Sequence, residues 1–439
     1  MEIKRDVFQE LITWKERPNR KPLILQGARQ LGKTWLLKHF GKHHFDNVAY
    51  FNFDQQTELR QFFSTTKDPH RILQNLSLVL GKPILPQSTL VIFDEIQECN
   101  EALNALKYFN EEASEYTIAC AGSLLGAALS RGSSFPVGKV DFVQVHPVTF
   151  EEFVATADDG LSSYLETLEK FEAIPEIFFN QLKEKLKMYF ISGGIPEAIV
   201  ALLENRDVGL TQNVLQNILN GYTLDFSKHV ENRDVSKIHY IWSSIPSQLS
   251  RENKKFLYQS VKPGARAREY EDALQWLIRA GLVYRVNCSS KPALPLSAYD
   301  DLSAFKIFLF DVGLLRRLSR LDPVAISEGD RLLTEFKGAL TENFILQSLV
   351  QQFEGLPRYW KSENKAEVDF LIQYGNLIIP AEVRSDENIK SKSLSLYRKT
   401  YNPTISIRYS MRNLKFDDGL LNIPLFMVDK TKTLLDKNL

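Results

Sequence analysis

Over the first 150 residues, apolar positions fall alternately into short continuous runs and into stripes at helical spacing. Leu23, Ile24 and Leu25 form a run the length of a buried strand, and Trp35, Leu36, Leu37 and Phe40 follow on one helix face. VAYFNFDQ (48–55), TLVIFDEIQEC (89–99) and YTIACAGS (116–123) read as three more strands. Strands separated by helical stretches predict an α/β fold with a doubly wound parallel sheet.

Further on the pattern changes. Residues 162–235 carry helical periodicity, interrupted at SGGIPEAIV, where Gly193 and Gly194 stop one helix and Pro196 suits the first turn of the next. From about 236 to 288 the order is three helices and a strand. Ala273, Leu274, Leu277 and Ile278 mark an apolar helix face, Gly281 ends that helix, and LVYRV starts a strand, as in a winged helix. GALTENFILQSLV (338–350) is a helix, and AEVDFLIQYGNLIIPAEVRS reads as a hairpin turning at Gln373 to Asn376.

The glycines between the first strand and helix bring in chemistry. Gly27, Ala28, Arg29, Gln30, Leu31, Gly32, Lys33 and Thr34 spell G-x-x-x-x-G-K-T, and Trp35 follows at once. Such a loop curls its N–H groups around phosphates, its Lys reaches the terminal ones, and its Thr can ligate Mg²⁺. The strand 89–94 ends in Asp94-Glu95, where the first carboxylate can hold Mg²⁺ and the second can activate the attacking water. Ser123, at the end of the strand 116–121, either senses the terminal phosphate or caps the next helix. The guanine-selecting Asn-Lys-x-Asp is not matched: Asn364-Lys365-Ala366-Glu367 lacks the Asp, which favours ATP.

Near the C-terminus, a turn centred on Tyr374 and Gly375 places Asp369 opposite Pro380 and Glu367 opposite Glu382. Glu367, Asp369, Glu382 and Arg384 then share one face, and like charges on neighbouring strands ask for a cation. A divalent metal, Arg384, Lys361 or Arg358 could each supply it. The order of helix Glu342, strand Asp369 and then Glu382-x-Arg384 is similar to the PD-(D/E)xK nuclease fold, with Arg384 where those nucleases carry Lys. Arginine stays protonated and cannot serve as a base, which weighs against cleavage.

Composition narrows the partners. Among 439 residues, 54 Lys+Arg balance 54 Asp+Glu, so any nucleic-acid surface is local. RENKKFLYQSVKPGARAR (251–268) is such a stretch, although Glu269, Glu271 and Asp272 dilute it. The scattered cysteines Cys99, Cys120 and Cys288 give no zinc spacing, and no run reaches the roughly 20 apolar residues of a membrane span. These features predict a cytoplasmic protein with no membrane partner.

GARQLGKTWLL, VIFDEIQ, AGSLLGAALSRGSSFPVGKVDFVQVHPVTFEEF, YFISGGIPEAI, FKIFLFDVGLL, LTENFI and AEVDFLI...IIPAEVRS together resemble bacterial and archaeal AAA family ATP-binding proteins with a C-terminal domain of unknown function. The resemblance implies an ATP-hydrolysing N-terminal domain, a helical middle part and a C-terminal domain resembling restriction endonucleases; joined with the patterns above, it predicts a P-loop AAA-type ATPase domain (1–160), a helical linker or lid (161–235), a winged-helix-like domain (236–325) and a restriction-endonuclease-like α/β domain (326–439). It also implies ATP hydrolysis with Mg²⁺, with Lys33 and Glu95 catalytic and Thr34 and Asp94 at the metal. Family members commonly carry Gly-Arg where this chain has Gly138-Lys139, with Arg131 nearby, so no arginine finger is assigned. Two readings stand: an ATPase coupled to DNA or RNA, or a nucleotide-dependent switch that docks a protein partner and carries an inactive nuclease-like domain. The oligomeric state stays open.

Overall fold

The computed structural model describes residues 1–123, 135–229, 232–251, 254–323, 326, 337–362, 366–384 and 392–439. Arg131, Asn364 and Lys365 lie outside the described residues. The chain divides into two compact units, one of residues 5–146 with 279–281, the other of 1–4, 147–278 and 282–439.

The first unit holds strands β1 (Leu23–Gln26), β2 (Asn47–Asn52), β3 (Thr89–Asp94), β4 (Thr117–Ala121) and β5 (Asp141–Gln144). Their order is β2-β3-β4-β1-β5, and every pairing is parallel. Every residue of β3 and β4 is buried, as continuous apolar runs in the middle of a parallel sheet should be. Because β4 inserts between β1 and β3, the carboxyl ends of these strands lie side by side, where parallel α/β sheets bind ligands. The short edge strand β5 adds to the four strands expected. Its sequence DFVQ has a single buried residue, which leaves little apolar signal to read.

In the second unit, helices Glu176–Ser192, Pro196–Glu204, Val208–His229, Asn232–Leu249, Tyr258–Val261 and Ala267–Arg279 lead into a sheet. Its strands are β6 (Val283–Ser289), β7 (Asp300–Leu309), β8 (Arg358–Lys361), β9 (Glu367–Tyr374), β10 (Leu377–Val383), β11 (Ser406–Ser410), β12 (Lys415–Asp417) and β13 (Leu420–Pro424). They run in the order β12-β13-β11-β10-β9-β8-β6-β7. The expected succession of three helices and a strand is present. The hairpin β6/β7 that follows pairs through β6 onto β8, so strands from residues 283–309 and 358–424 share one sheet.

The glycine pair has a steric reason. Gly193, at φ 64, ends the helix Glu176–Ser192, and a Cβ there would stand 2.3 Å from Asp311 Oδ1 and 2.6 Å from the Gly313 amide nitrogen. Asp311 accepts hydrogen bonds from the amides of Gly194 at 2.7 Å and Leu314 at 2.9 Å. The SGGIP and FDVG segments are therefore two halves of one close backbone contact.

The hairpin β9/β10 differs from expectation in register. Tyr374 faces Leu377, so the turn residues are Gly375 and Asn376, with Gly375 at φ 56 as such two-residue turns require. Pairing moves by two residues: Phe370 faces Ala381, which sets Asp369 beside Glu382. A shift of two preserves side-chain parity, so Glu367, Asp369, Glu382 and Arg384 still share a face.

Candidate functional site

In the first unit the loop 27–32 leaves β1 and enters the helix Lys33–His44. Positive φ angles at Gly27 (149), Gln30 (64) and Gly32 (80) give the loop its curl. A Cβ on Gly27 would come within 2.3 Å of the Val145 carbonyl oxygen, so this position admits glycine alone without displacement. Ala28 and Leu31 are buried and pin the loop to the core, while Arg5 donates to the carbonyls of Leu31 at 3.4 Å and His146 at 2.7 Å.

Lys33 is buried, and its ammonium donates to the carbonyls of Gly27 at 2.9 Å and Ala28 at 2.7 Å. Burial pushes its pKa down to about 8, against the pull of Glu95 and Asp94 and with help from Arg29. Thr34 Oγ1 donates to both Asp94 oxygens, at 3.1 and 3.0 Å. Glu95, with φ 50, accepts from Gln97 Nε2 at 2.5 Å and Ser123 Oγ at 2.8 Å. Burial tends to raise the Glu95 pKa, but those two hydrogen bonds and the charges of Arg29 and Lys33 leave it below its ordinary value. Trp35 is exposed and stacks on His39, 4.7 Å between ring centroids.

The structure thus gathers Lys33, Thr34, Asp94, Glu95 and Ser123 at the carboxyl ends of β1, β3 and β4. It also adds residues that sequence reasoning missed. Tyr50 donates to Asp94 Oδ2 at 2.7 Å, and Asn52 Nδ2 donates to the Tyr50 hydroxyl at 3.2 Å. Asn52 pairs directly with Asp94 in the β2/β3 ladder, a relation that no local motif announces. Lys139 pairs with Glu111 at 2.7 Å.

The donor set suits Mg²⁺: a threonine hydroxyl and a carboxylate are hard oxygen ligands, and among the described residues the buried lysine's hydrogen bonds go to carbonyls of its own loop.

The second group of candidates lies on β9, β10 and the helix Lys337–Gln352. Four acids gather here with four cations. Glu342 is paired with Lys254. Glu367 meets Lys306 of β7 at 2.5 Å, and Glu382 meets Arg384 at 2.5 Å and Arg408 at 3.8 Å. Burial and the Glu342 charge raise Asp369 to about 7, although Lys306, Lys254 and the Val383 amide at 2.8 Å oppose them. For Glu342 burial acts upward, but Lys254, Lys306 and Arg384 bring it below the usual carboxylate range. Amines and guanidiniums supply countercharge to these acids, and among the described residues no group of three or more His, Cys, Asp or Glu is placed to hold a metal ion. Arg358 turns instead to Asp300, at 2.8 Å, and Lys361 lies exposed. Lys254 and Lys306, remote in sequence from the hairpin, were not foreseen.

A family profile described as AAA domain matches residues 19–154. Two further profiles, both domains of unknown function, match residues 183–325 (DUF8612) and 337–427 (DUF4143). Residues 19–154 thus match an AAA domain, and Lys33, Thr34, Asp94, Glu95 and Ser123 lie within them. Among solved structures, the chain is similar to the Walker-type ATPase PABY2304 of Pyrococcus abyssi, at 16% identity over 72% of this chain and 96% of that one, TM-score 0.46. It is also similar to the RuvB Holliday junction branch migration motor of Thermotoga maritima, at 14% identity over 65% and 90% of the two chains, TM-score 0.30. A third is the Orc1 protein of Aeropyrum pernix in complex with DNA, at 11% identity over 74% and 94%, TM-score 0.30. No curated protein matches. Among the described residues no helix is long and apolar enough to cross a membrane.

Proposed function

We propose that the chain binds and hydrolyses ATP with Mg²⁺ and couples turnover to nucleic acid. The observation that carries the first part is the convergence of Lys33, Thr34, Asp94, Glu95 and Ser123 on one loop. The loop amides 27–34 cradle the phosphates, and Lys33 exchanges the Gly27 and Ala28 carbonyls for phosphate oxygens. Thr34 and Asp94 hold Mg²⁺, which neutralises phosphate charge when bound. Glu95, ionised at neutral pH, orients the attacking water, and Ser123 fixes that carboxylate.

Coupling to nucleic acid is supported by Lys262, Arg266 and Arg268, which stay exposed around the start of the helix Ala267–Arg279 in a winged-helix-like order of elements. The patch is smaller than its sequence implied, because Lys254 is turned into Glu342. The second reading, a nucleotide-dependent switch for a protein partner, gains from that same observation. A nuclease-like domain whose carboxylates are met by Lys254, Lys306 and Arg384 is suited to binding without cleavage. Steady-state ATP turnover with and without single-stranded DNA, double-stranded DNA and RNA separates the two. Stimulation by a nucleic acid that Arg266→Glu/Arg268→Glu abolishes supports the first reading, and turnover indifferent to all three contradicts it.

A further inference from the structure

Just past the end of β10 and on β11, two guanidiniums keep donors that neither the phosphate loop nor the carboxylate network uses. These strands pair in parallel, and Glu382 faces Arg408. Arg384, two residues along from Glu382, binds the same carboxylate at 2.5 Å, while Arg408 Nε stays 3.8 Å from it, too far for a hydrogen bond. Among the described residues, the Nε atoms of Arg384 and Arg408 are both buried without a hydrogen-bond partner. Arg398 and Arg412 stand near enough that, after burial, their charges and that of Arg384 hold Arg408 below its ordinary pKa, with Glu382 pulling the other way. Asp418 occupies Arg398 at 3.3 Å.

Two guanidiniums with buried, unused donors, crowded by like charge, thus share the single carboxylate of Glu382. Leaving buried donors unpaired costs stability, which an oxyanion seated against these guanidiniums would restore. The position is reachable, because Arg384 keeps 38% of its side chain exposed while Arg408 keeps 11%. Planar guanidinium forks match the oxygens of a tetrahedral phosphate, and Glu382 fixes one fork from behind.

We propose that Arg384 and Arg408, oriented by Glu382, form a phosphate-binding site on the β10/β11 face. It is independent of the phosphate loop, and its role is to bind and not to cleave. The phosphate belongs either to a nucleic-acid backbone or to a small free phosphate.

The test uses the full chain carrying Lys33→Ala, nucleotide-free, so that the loop does not contribute. Two readouts are taken: ³¹P line broadening of inorganic phosphate, and anisotropy of a fluorescein-labelled single-stranded DNA. Arg384→Gln is expected to abolish the broadening and to weaken the oligonucleotide about tenfold or more if the backbone is the ligand. Loss of broadening with unchanged oligonucleotide affinity also supports the site and assigns it to free phosphate. Arg384→Lys, which keeps a countercharge for Glu382, guards against misfolding and is expected to weaken phosphate partially. Parent and Arg384→Gln chains that treat both probes alike overturn the proposal, as does Arg384→Lys binding as tightly as the parent.

Discussion

Ser123 Oγ donates to Glu95 Oε2 across 2.8 Å, so the end of β4 holds the carboxylate that follows the end of β3. The arrangement makes the third strand of the site part of its chemistry. Ser123→Ala removes a donor that keeps Glu95 ionised, so the Glu95 pKa rises. The expected result is about a tenfold fall in kcat with KM little changed, and an acid limb of the kcat profile displaced to higher pH. A pH profile identical to the parent's would remove Ser123 from this role.

Lys33 titrates in a window that can be observed without nucleotide. Its folded pKa of about 8 lies below the 10.5 of the free side chain, so the unfolded chain binds more protons between those values. The penalty for burying the ammonium is complete below pH 8, shrinks as the pH rises from 8 to 10.5 and is gone above that. Melting of parent and Lys33→Met at pH 7 and pH 10 should show the variant-minus-parent difference in Tm falling as pH rises. A difference that does not change between the two pH values contradicts a buried, strained ammonium.

Asp369 has the opposite linkage. Its pKa is raised from 3.8 to about 7, so the folded state holds an extra proton in that interval and loses stability as the pH climbs through it. Asp369→Asn keeps an acceptor for the Val383 amide and cannot ionise. Its stability relative to the parent is expected to increase from pH 5 to pH 8, read as the difference in Tm. A flat difference would show that Asp369 is already ionised at pH 5.

Gly193→Ala tests the contact between the SGGIP and FDVG segments. The new methyl would meet Asp311 Oδ1 at 2.3 Å and the Gly313 nitrogen at 2.6 Å, at φ 64, where a side chain is strained in any case. A loss of roughly 2 kcal/mol or more is expected, seen as a lower Tm or insoluble protein. Parent-like melting would mean that the two segments move apart readily.

What could be read from the residues alone follows the range of the interactions. The phosphate loop is local: Gly27, Gly32, Lys33 and Thr34 lie within one turn and the start of one helix, and their spacing carries the geometry. The acidic pair on β3 was legible because it closes an apolar strand. Tyr50 and Asn52 were not, since their bearing on Asp94 exists only through the β2/β3 ladder. On the second sheet the shared face of Glu367, Asp369 and Glu382 survived a two-residue error in register because parity did. Of the counter-ions, Arg384 was named from the sequence, whereas Lys254, Lys306 and Arg408 were not. Lys306 arrives from β7, across β6 and β8, and Lys254 from the segment before the helix Tyr258–Val261, and neither placement can be inferred from alternation within one hairpin.

The central claim is that the loop 27–34 and its acidic partners turn over ATP, and the most direct measurement is steady-state phosphate release from Mg·ATP by the purified chain. The parent is expected to turn over ATP, Lys33→Ala to give none above background, and Glu95→Gln to retain nucleotide without release of phosphate. Parent and Lys33→Ala chains hydrolysing ATP equally, or a parent that neither binds nor hydrolyses it, would contradict the account.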